Sequence, residues 1–369
     1  MPVLRVPVVR VHETEAGMKP PYVVPTMTEV AATPPNGYTA ASSFSGCGGS
    51  SLGYRMAGFT VRWASEFVPA AVDVYRRNAP DYTHIDTRDI RNVTAADVLT
   101  DLGMVPGELD LFDGSPPCSS FSISGKKSAG WGKVSEYSDT AQRTDDLFYE
   151  YIRLVDGIQP RVFVAENVAG LVKGAAKGYF RQIMTAMKAA GYRVSARVLD
   201  SVWLGVPQVR PRLIFIGVRD DLELDPTHPA PLPYRYHLRD AGVTTAGMID
   251  PETRENISME PYAVGKEWHR LRPGGESKRY FNLKRGSLTE PSRAITAKGG
   301  DVTAASMSHP SECRKLNLVE LRSVCGFPPD FTLTGTYRQR YERLGRAVPP
   351  PMMARIAATV ATQILDRAR

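Results

Sequence analysis

The sequence is poor in the features that would place it in several large classes. It has four cysteines, Cys47, Cys118, Cys313 and Cys325, and no two form a CxxC pair. That spacing excludes a zinc ribbon and a disulfide framework and fits a reducing, cytoplasmic setting. Metal ligands are not clustered, and no metal site is expected. No run of about eighteen apolar residues occurs, so no membrane span is expected. Internal repeats and low-complexity tracts are absent. Residues 1–36 are rich in Pro and Val without the layout of a signal peptide, and we read them as a flexible extension. The glycine pattern G-x-G-x-x-G of dinucleotide-binding loops is also missing: Ser51 stands where its third glycine would fall.

What is present is an ordinary globular composition, 42% hydrophobic and 23% charged over 369 residues, enough for two domains. The net charge of +7 is unevenly placed. Between Gly265 and Arg346 there are 16 Lys or Arg against 8 Asp or Glu. Such a block suits a polyanionic partner, although a solvated basic face would look the same.

From Tyr38 to Arg219 apolar stretches with strand character alternate with helical ones. Strands are expected at Thr39–Phe44, Val61–Ser65, Leu109–Phe112, Val162–Ala165 and Leu213–Val218. Helices are expected at Leu52–Ala57, Pro69–Asn78, Asp145–Gly157 and Phe180–Ala190. The alternation predicts an α/β domain with a mostly parallel, Rossmann-like sheet. Beyond Asp220 it stops, and a smaller, irregular β-rich domain is expected. The boundaries read as 1–36, 37–220, 221–334 and a segment 335–369 that returns to the sheet domain.

Four sites fall at strand ends, where parallel sheets gather ligand-binding loops. The first is Phe44-Ser45-Gly46-Cys47-Gly48-Gly49, a glycine turn between strand and helix. It lets a ligand approach the backbone, but its spacing favours a nucleoside cofactor without pyrophosphate over NAD. Glu66, after the next strand, can accept from two ribose hydroxyls, and Asp89-Ile90 can frame an adenine. The second is Ser115-Pro116-Pro117-Cys118-Ser119-Ser120-Phe121. A free cysteine is most often buried and inert, but this one sits among prolines and serines, as a nucleophile would. The third, Ala165-Glu166-Asn167-Val168, brings a carboxylate to the same edge. In the fourth, Gln208-Val209-Arg210-Pro211-Arg212, alternate side chains share one face of an extended segment. Taken singly, each also has a plain structural explanation.

In this order the four motifs resemble the DNA (cytosine-5) methyltransferase family, over Tyr38–Arg219 and from Arg293 to the end. The later matches are Arg293-Ala294-Ile295-Thr296, Gly326-Phe327-Pro328 and Tyr341…Gly345…Val348. The resemblance implies transfer of a methyl group from S-adenosyl-L-methionine to carbon 5 of a cytosine flipped out of double-stranded DNA. It implies Cys118 as the nucleophile that adds to carbon 6. Glu166 would hold ring nitrogen 3, carrying or sharing a proton. Arg212 would face the carbonyl oxygen, with Arg210 and Gln208 bracing the loop. Phe44, Gly46, Gly48, Gly49, Glu66, Phe67, Asp89, Ile90, Arg346, Ala347 and Val348 would bind the cofactor. Ser120, Gln208 and Thr296 would contact DNA. The segment from about Ser119 to Arg143 would be the lid that promotes flipping, and about Asp221 to Ser292 the target-recognition region. A monomer is expected. Two other readings stay open: a non-catalytic DNA-binding relative and a tRNA methyltransferase.

One departure stands out. The family's last motif is Gly-Asn-(Ser or Ala)-Val, and here it is Gly345-Arg346-Ala347-Val348. By resemblance this position lies beside the transferable group. Two like charges about 4 Å apart cost roughly 4 kcal/mol at an effective dielectric of about 20, so an anion should balance Arg346. One candidate is a carboxylate on the transferred carbon, as in carboxy-S-adenosyl-L-methionine, which would make 5-carboxymethylcytosine.

Overall fold

The computed structural model describes residues 19–117, 135–137, 140–142, 146–244 and 257–368. The chain divides into two compact units. One comprises residues 33–199, 211–230 and 353–369, and the other residues 1–32, 200–210 and 231–352.

The first unit is built on a seven-stranded sheet. Its strands are β1 (Thr39–Ser43), β2 (Thr60–Ser65), β3 (His84–Asp86), β4 (Leu111–Gly114), β5 (Val162–Val168), β6 (Tyr192–Asp200) and β7 (Pro211–Arg219). Their order across the sheet is β3-β2-β1-β4-β5-β7-β6. Pairings from β3 through β5 are parallel, whereas β7 runs antiparallel to β5, with Ile214 opposite Glu166 and Arg212 opposite Val168. The order reverses at β1, so the space beyond the carboxyl ends of β1 and β4 is the switch point where such sheets hold ligands.

The helices of this unit are α1 (Gly49–Met56), α2 (Pro69–Asn78), α3 (Ala95–Leu102), α4 (Leu147–Ile158) and α5 (Lys177–Ala189). In α4 the buried residues Leu147, Phe148, Tyr151, Ile152, Leu154, Val155 and Ile158 form an apolar stripe. They join Phe112 and Phe163 from the sheet in one core, each large apolar side chain contributing about 1.5–3 kcal/mol of burial. Helix α3 opens on a capping box, Thr94 with Asp97, and closes on Gly103 at φ 65°. The nine strands and helices expected here are present with small boundary changes; β3, β6 and α3 are additional.

The second unit has little extended structure. Lys284–Arg285 pairs with Met307–Ser308, and Ser292–Arg293 with Gln208–Val209. Short helices lie at Ala263–Trp268, Leu318–Val324 and Tyr337–Arg346. The basic block from Gly265 to Arg346 falls wholly inside this unit.

The units divide the chain differently from the boundaries expected from sequence. Residues 335–352 group with the second unit, and only 353–369 with the sheet. Residues 19–32 are also part of the second unit rather than a loose extension. Lys19 pairs with Asp240 at 2.6 Å, Tyr22 donates to the Ser323 carbonyl at 2.7 Å, and the helix Met27–Ala31 carries Asp330 on the Met27 amide at 2.9 Å. Among the described residues, no helix is long and apolar enough to cross a membrane.

Candidate active site

A partly open cleft lies at the switch point of the sheet. It is lined by Phe44, Ser65, Glu66, Phe67, Val68, Arg88, Asp89, Ile90, Pro117 and Leu147. Five of the expected cofactor residues, Phe44, Glu66, Phe67, Asp89 and Ile90, therefore share one wall-to-wall space.

Local backbone chemistry shapes this cleft. Strand β1 is followed by Phe44, a non-glycine residue at φ 52°, in the left-handed region. Such a conformation costs about 1–3 kcal/mol and persists where surrounding structure imposes it. Gly48, at φ 93°, then caps α1, and a Cβ there would stand 3.1 Å from the Tyr75 ring. The Glu66 carboxylate is fixed by two amides, Gly46 N–H on Oε2 at 2.8 Å and Val68 N–H on Oε1 at 2.8 Å. Asp89 accepts from the Arg91 amide at 3.0 Å. The cleft thus offers apolar faces for a base and fixed carboxylates for a ribose, while its one arginine, Arg88, is held by Asp86 at 2.6 Å. That donor set fits an adenosine-type cofactor and provides no phosphate cradle.

At the next edge, Glu166 and Arg212 meet at 2.5 Å, both mostly buried. Antiparallel register of β5 and β7 produces this pair, since Ile214 is opposite Glu166 and Arg212 lies two residues on, over the same face. Asn167, 3% exposed, donates from Nδ2 to the Pro116 carbonyl at 3.1 Å and accepts from the Val168 amide at 2.8 Å. It ties the Glu166 strand end to the proline loop. Cys118 and Ser120 lie outside the described residues. Pro117, directly before Cys118, lines the cofactor cleft.

Beneath the proline loop, Asp113 on β4 is 1% exposed. It accepts from Ser42 Oγ at 2.9 Å and from the Tyr54 hydroxyl at 3.0 Å. Burial pushes its carboxyl up to about 7, with Glu166 adding repulsion and the hydroxyl donors opposing the rise. Neither Asn167 nor Asp113 is singled out by the sequence motifs. The adjacency of Asn167 to Glu166 is a visible signal. Nothing in the sequence marks Asp113 as buried.

In the second unit Arg210 and Gln208 are both buried. Arg210, 3% exposed, donates to the Ile295 carbonyl at 2.9 Å and the Gly345 carbonyl at 2.8 Å. Gln208, 1% exposed, accepts from the Ile295 amide at 3.3 Å and donates to the Val324 carbonyl at 3.4 Å. Its amide is engaged inside the fold. Likewise the Arg210 guanidinium lies on backbone carbonyls. Gly345 packs on Thr296, where a Cβ would meet the Thr296 carbonyl carbon at 2.9 Å. Thr296 is half-buried and Val348 is buried. Arg346 donates from Nε to Glu342 at 2.7 Å, one helical turn back, so its balancing anion is a side chain of the same helix.

Glu260, His269 and Cys313 also bring their ligand atoms within 4.8 Å of one another, a cluster their scattered positions hid. Glu260 and His269 already pair at 2.8 Å.

The sheet order, the reversed β7 and a cleft whose lining fits an adenosine-type cofactor define a Rossmann-like fold of the class that binds S-adenosylmethionine. Comparison with known proteins narrows the class. Residues 38–362 match the C-5 cytosine-specific DNA methylase family, and the chain belongs to that family. It is 30% identical over 343 residues to the type II methyltransferase M.NgoFVII of Neisseria gonorrhoeae, covering 86% of this chain and 85% of that one. It is 31% identical over 346 residues to M.PspPI of a Psychrobacter strain, covering 87% and 78%. Among solved structures, a DNA modification methyltransferase encoded in an Escherichia coli prophage superposes with a TM-score of 0.69 at 19% identity, covering 89% and 99%. A Spodoptera frugiperda DNMT2 variant gives 0.63 at 16%, covering 90% and 99%. The latter two show a shared fold. The protein is a DNA cytosine-5 methyltransferase.

Proposed function

We propose that this enzyme methylates carbon 5 of a cytosine flipped out of duplex DNA, through a covalent adduct on Cys118. The observation that carries this reading is the Glu166–Arg212 pair at 2.5 Å, joined through Asn167 to the proline loop that leads to Cys118. Carbon 5 of cytosine is a weak nucleophile. Addition of the Cys118 thiolate to carbon 6 turns the ring into an enamine whose carbon 5 is nucleophilic. Arg212 donates to the base carbonyl oxygen and favours the thiolate by its charge. Glu166 delivers a proton at ring nitrogen 3 and accepts from the exocyclic amine. When bound, S-adenosylmethionine supplies the sulfonium methyl that carbon 5 takes. The carbon 5 proton then leaves to water, carbon 6 expels the thiolate, and Glu166 recovers its proton. The apolar walls and the Glu66 carboxylate orient the cofactor; flipping costs a few kcal/mol.

Carboxymethyl transfer from carboxy-S-adenosyl-L-methionine is the second reading, raised by Arg346. The 2.7 Å pair with Glu342 balances the guanidinium inside its own helix. A carboxylate on the transferred carbon is then not required, and we favour methyl. Monomeric action on DNA, rather than on tRNA, completes the reading.

Incubation with a 5-fluorocytosine duplex and cofactor should trap a covalent band that Cys118→Ala abolishes. Absence of the band from the native enzyme would overturn the mechanism. Nucleoside mass spectrometry with both cofactors supplied should show 5-methylcytosine; 5-carboxymethylcytosine as the main product would establish the second reading. Gel shifts with matched duplex and tRNA should favour the duplex.

A further inference from the structure

Phe281 in the second unit is 69% exposed, more than any other large hydrophobic side chain among the described residues. A lone exposed ring is ordinary on a protein surface, but one that the backbone holds outward, in a fixed loop and among cations, is a presented group. Here the backbone does so. The Ser277 amide donates to the Leu283 carbonyl at 2.9 Å, and the Leu283 amide to the Tyr280 carbonyl at 3.0 Å. Ser277 Oγ accepts from the Arg279 and Tyr280 amides at 3.0 and 2.9 Å and donates to Glu267 at 2.7 Å. Asn282 turns the chain at φ 73°. Leu283, 1% exposed, anchors the loop in a small core with Met259, Val264, Trp268 and Cys313. The result is a closed, anchored loop whose tip turns Phe281 outward.

The charge around the tip is positive. Lys278 and Arg279 are exposed and form no ion pair among the described residues. The nearby acids are matched by other cations, Glu276 by Arg293 at 3.1 Å, Glu290 by Lys284 at 2.9 Å and Glu267 by Arg270 at 3.4 Å. An outward aromatic ring beside two uncompensated cations is complementary to stacked bases flanked by phosphates. An apolar protein surface would leave both cations unmatched.

We propose that residues 277–283 form a DNA-contacting finger in which Phe281 stacks on or wedges into a base step while Lys278 and Arg279 hold the flanking phosphates. This inference rests on the reading of duplex DNA as the substrate. It assigns a residue to the recognition of DNA that motif matching does not reach.

The test uses the full-length enzyme and a duplex whose site is identified by base-resolution sequencing of DNA it has modified. Phe281→Ala should weaken duplex binding about tenfold or more, the order expected when one base–aromatic stack is removed. Phe281→Trp should restore most of it. The double change Lys278→Ala/Arg279→Ala should flatten the dependence of log affinity on log salt by roughly 1.8, about 0.9 for each phosphate no longer neutralised. Because Phe281 is exposed, cofactor affinity and melting temperature should stay at native values in all variants. If Phe281→Ala binds the duplex as tightly as the native enzyme at two salt concentrations, the finger is refuted while the enzymatic reading stands. If the native enzyme modifies no DNA at all, that reading falls and the finger with it.

Discussion

Single side chains decide the chemistry at the cleft, and Asp113 is the clearest case. Its folded carboxyl is pushed up to about 7 by burial, while in the unfolded chain it titrates near its ordinary value of about 3.9. Between those limits the folded state holds more protons than the unfolded one, so this group makes stability fall as pH rises. The full effect is on the order of 4 kcal/mol and is reached above about pH 7. Asp113→Asn removes the titration but keeps a hydrogen-bond acceptor for Ser42 or Tyr54. Urea unfolding of the variant should therefore show a flatter loss of stability between about pH 4 and 7; a slope equal to the native one would show that Asp113 is not the group responsible. The Glu166–Arg212 pair makes a second prediction at this scale. Arg212→Ala strands a mostly buried carboxylate and removes a charge-assisted donor aimed at the base, so kcat should fall about hundredfold or more. Arg212→Lys keeps the charge without the planar fork and should fall between the two. Steady-state kinetics at saturating DNA would check the ordering.

Elements place these side chains through close packing at strand ends. Gly114 closes β4 immediately before the proline loop. A Cβ there would stand 2.4 Å from the Tyr151 ring and 2.8 Å from Ser43 Oγ. Tyr151 cannot easily retreat, because its hydroxyl donates to the Phe112 and Val164 carbonyls, both at 3.1 Å. Gly114→Ala should cost about 1–3 kcal/mol by overpacking, with a larger loss of kcat than of cofactor affinity, since the proline loop moves with β4. Calorimetry and cofactor titration on the same variant would separate the two effects. The strands that sequence pattern does not reveal share a physical cause. Both β3 and β6 are edge strands. β3 is three residues long, and β6 is half-buried for most of its length. Edge strands carry polar and charged residues that blur the apolar signal. Helix α3 is written in the sequence twice over, by Ala95, Val98, Leu99 and Leu102 at helical spacing and by its capping box, Thr94 and Asp97.

On the scale of the whole molecule, the chain leaves and re-enters each unit. Residues 200–210 belong to the second unit although they lie between β6 and β7, and residues 353–369 return to the sheet. Residues 19–32 are integral to the second unit through Tyr22, buried Val30 and the Met27–Asp330 cap. Deleting residues 1–32 should lower the second unit's unfolding temperature, by an energy of about 2–4 kcal/mol from forfeited burial and hydrogen bonds. Unchanged melting would show that this segment adds nothing. The family motifs are legible because local chemistry writes them: glycines where a turn needs them, prolines around Cys118, apolar runs in the central strands. That suffices for the fold class and for the composition of the cofactor wall. Partnerships between distant residues are not legible. The engagement of the Gln208 amide with Ile295 and Val324 is not visible in the motif, and Arg346 reads as unbalanced although Glu342 stands one helical turn away. The burial of Asp113, the hold of Asn167 on Pro116 and the outward turn of Phe281 depend on which strands and loops become neighbours. Residue order restricts that choice through hydrophobic pattern and turn chemistry. The balance of desolvation, packing and hydrogen bonding in the folded chain makes it.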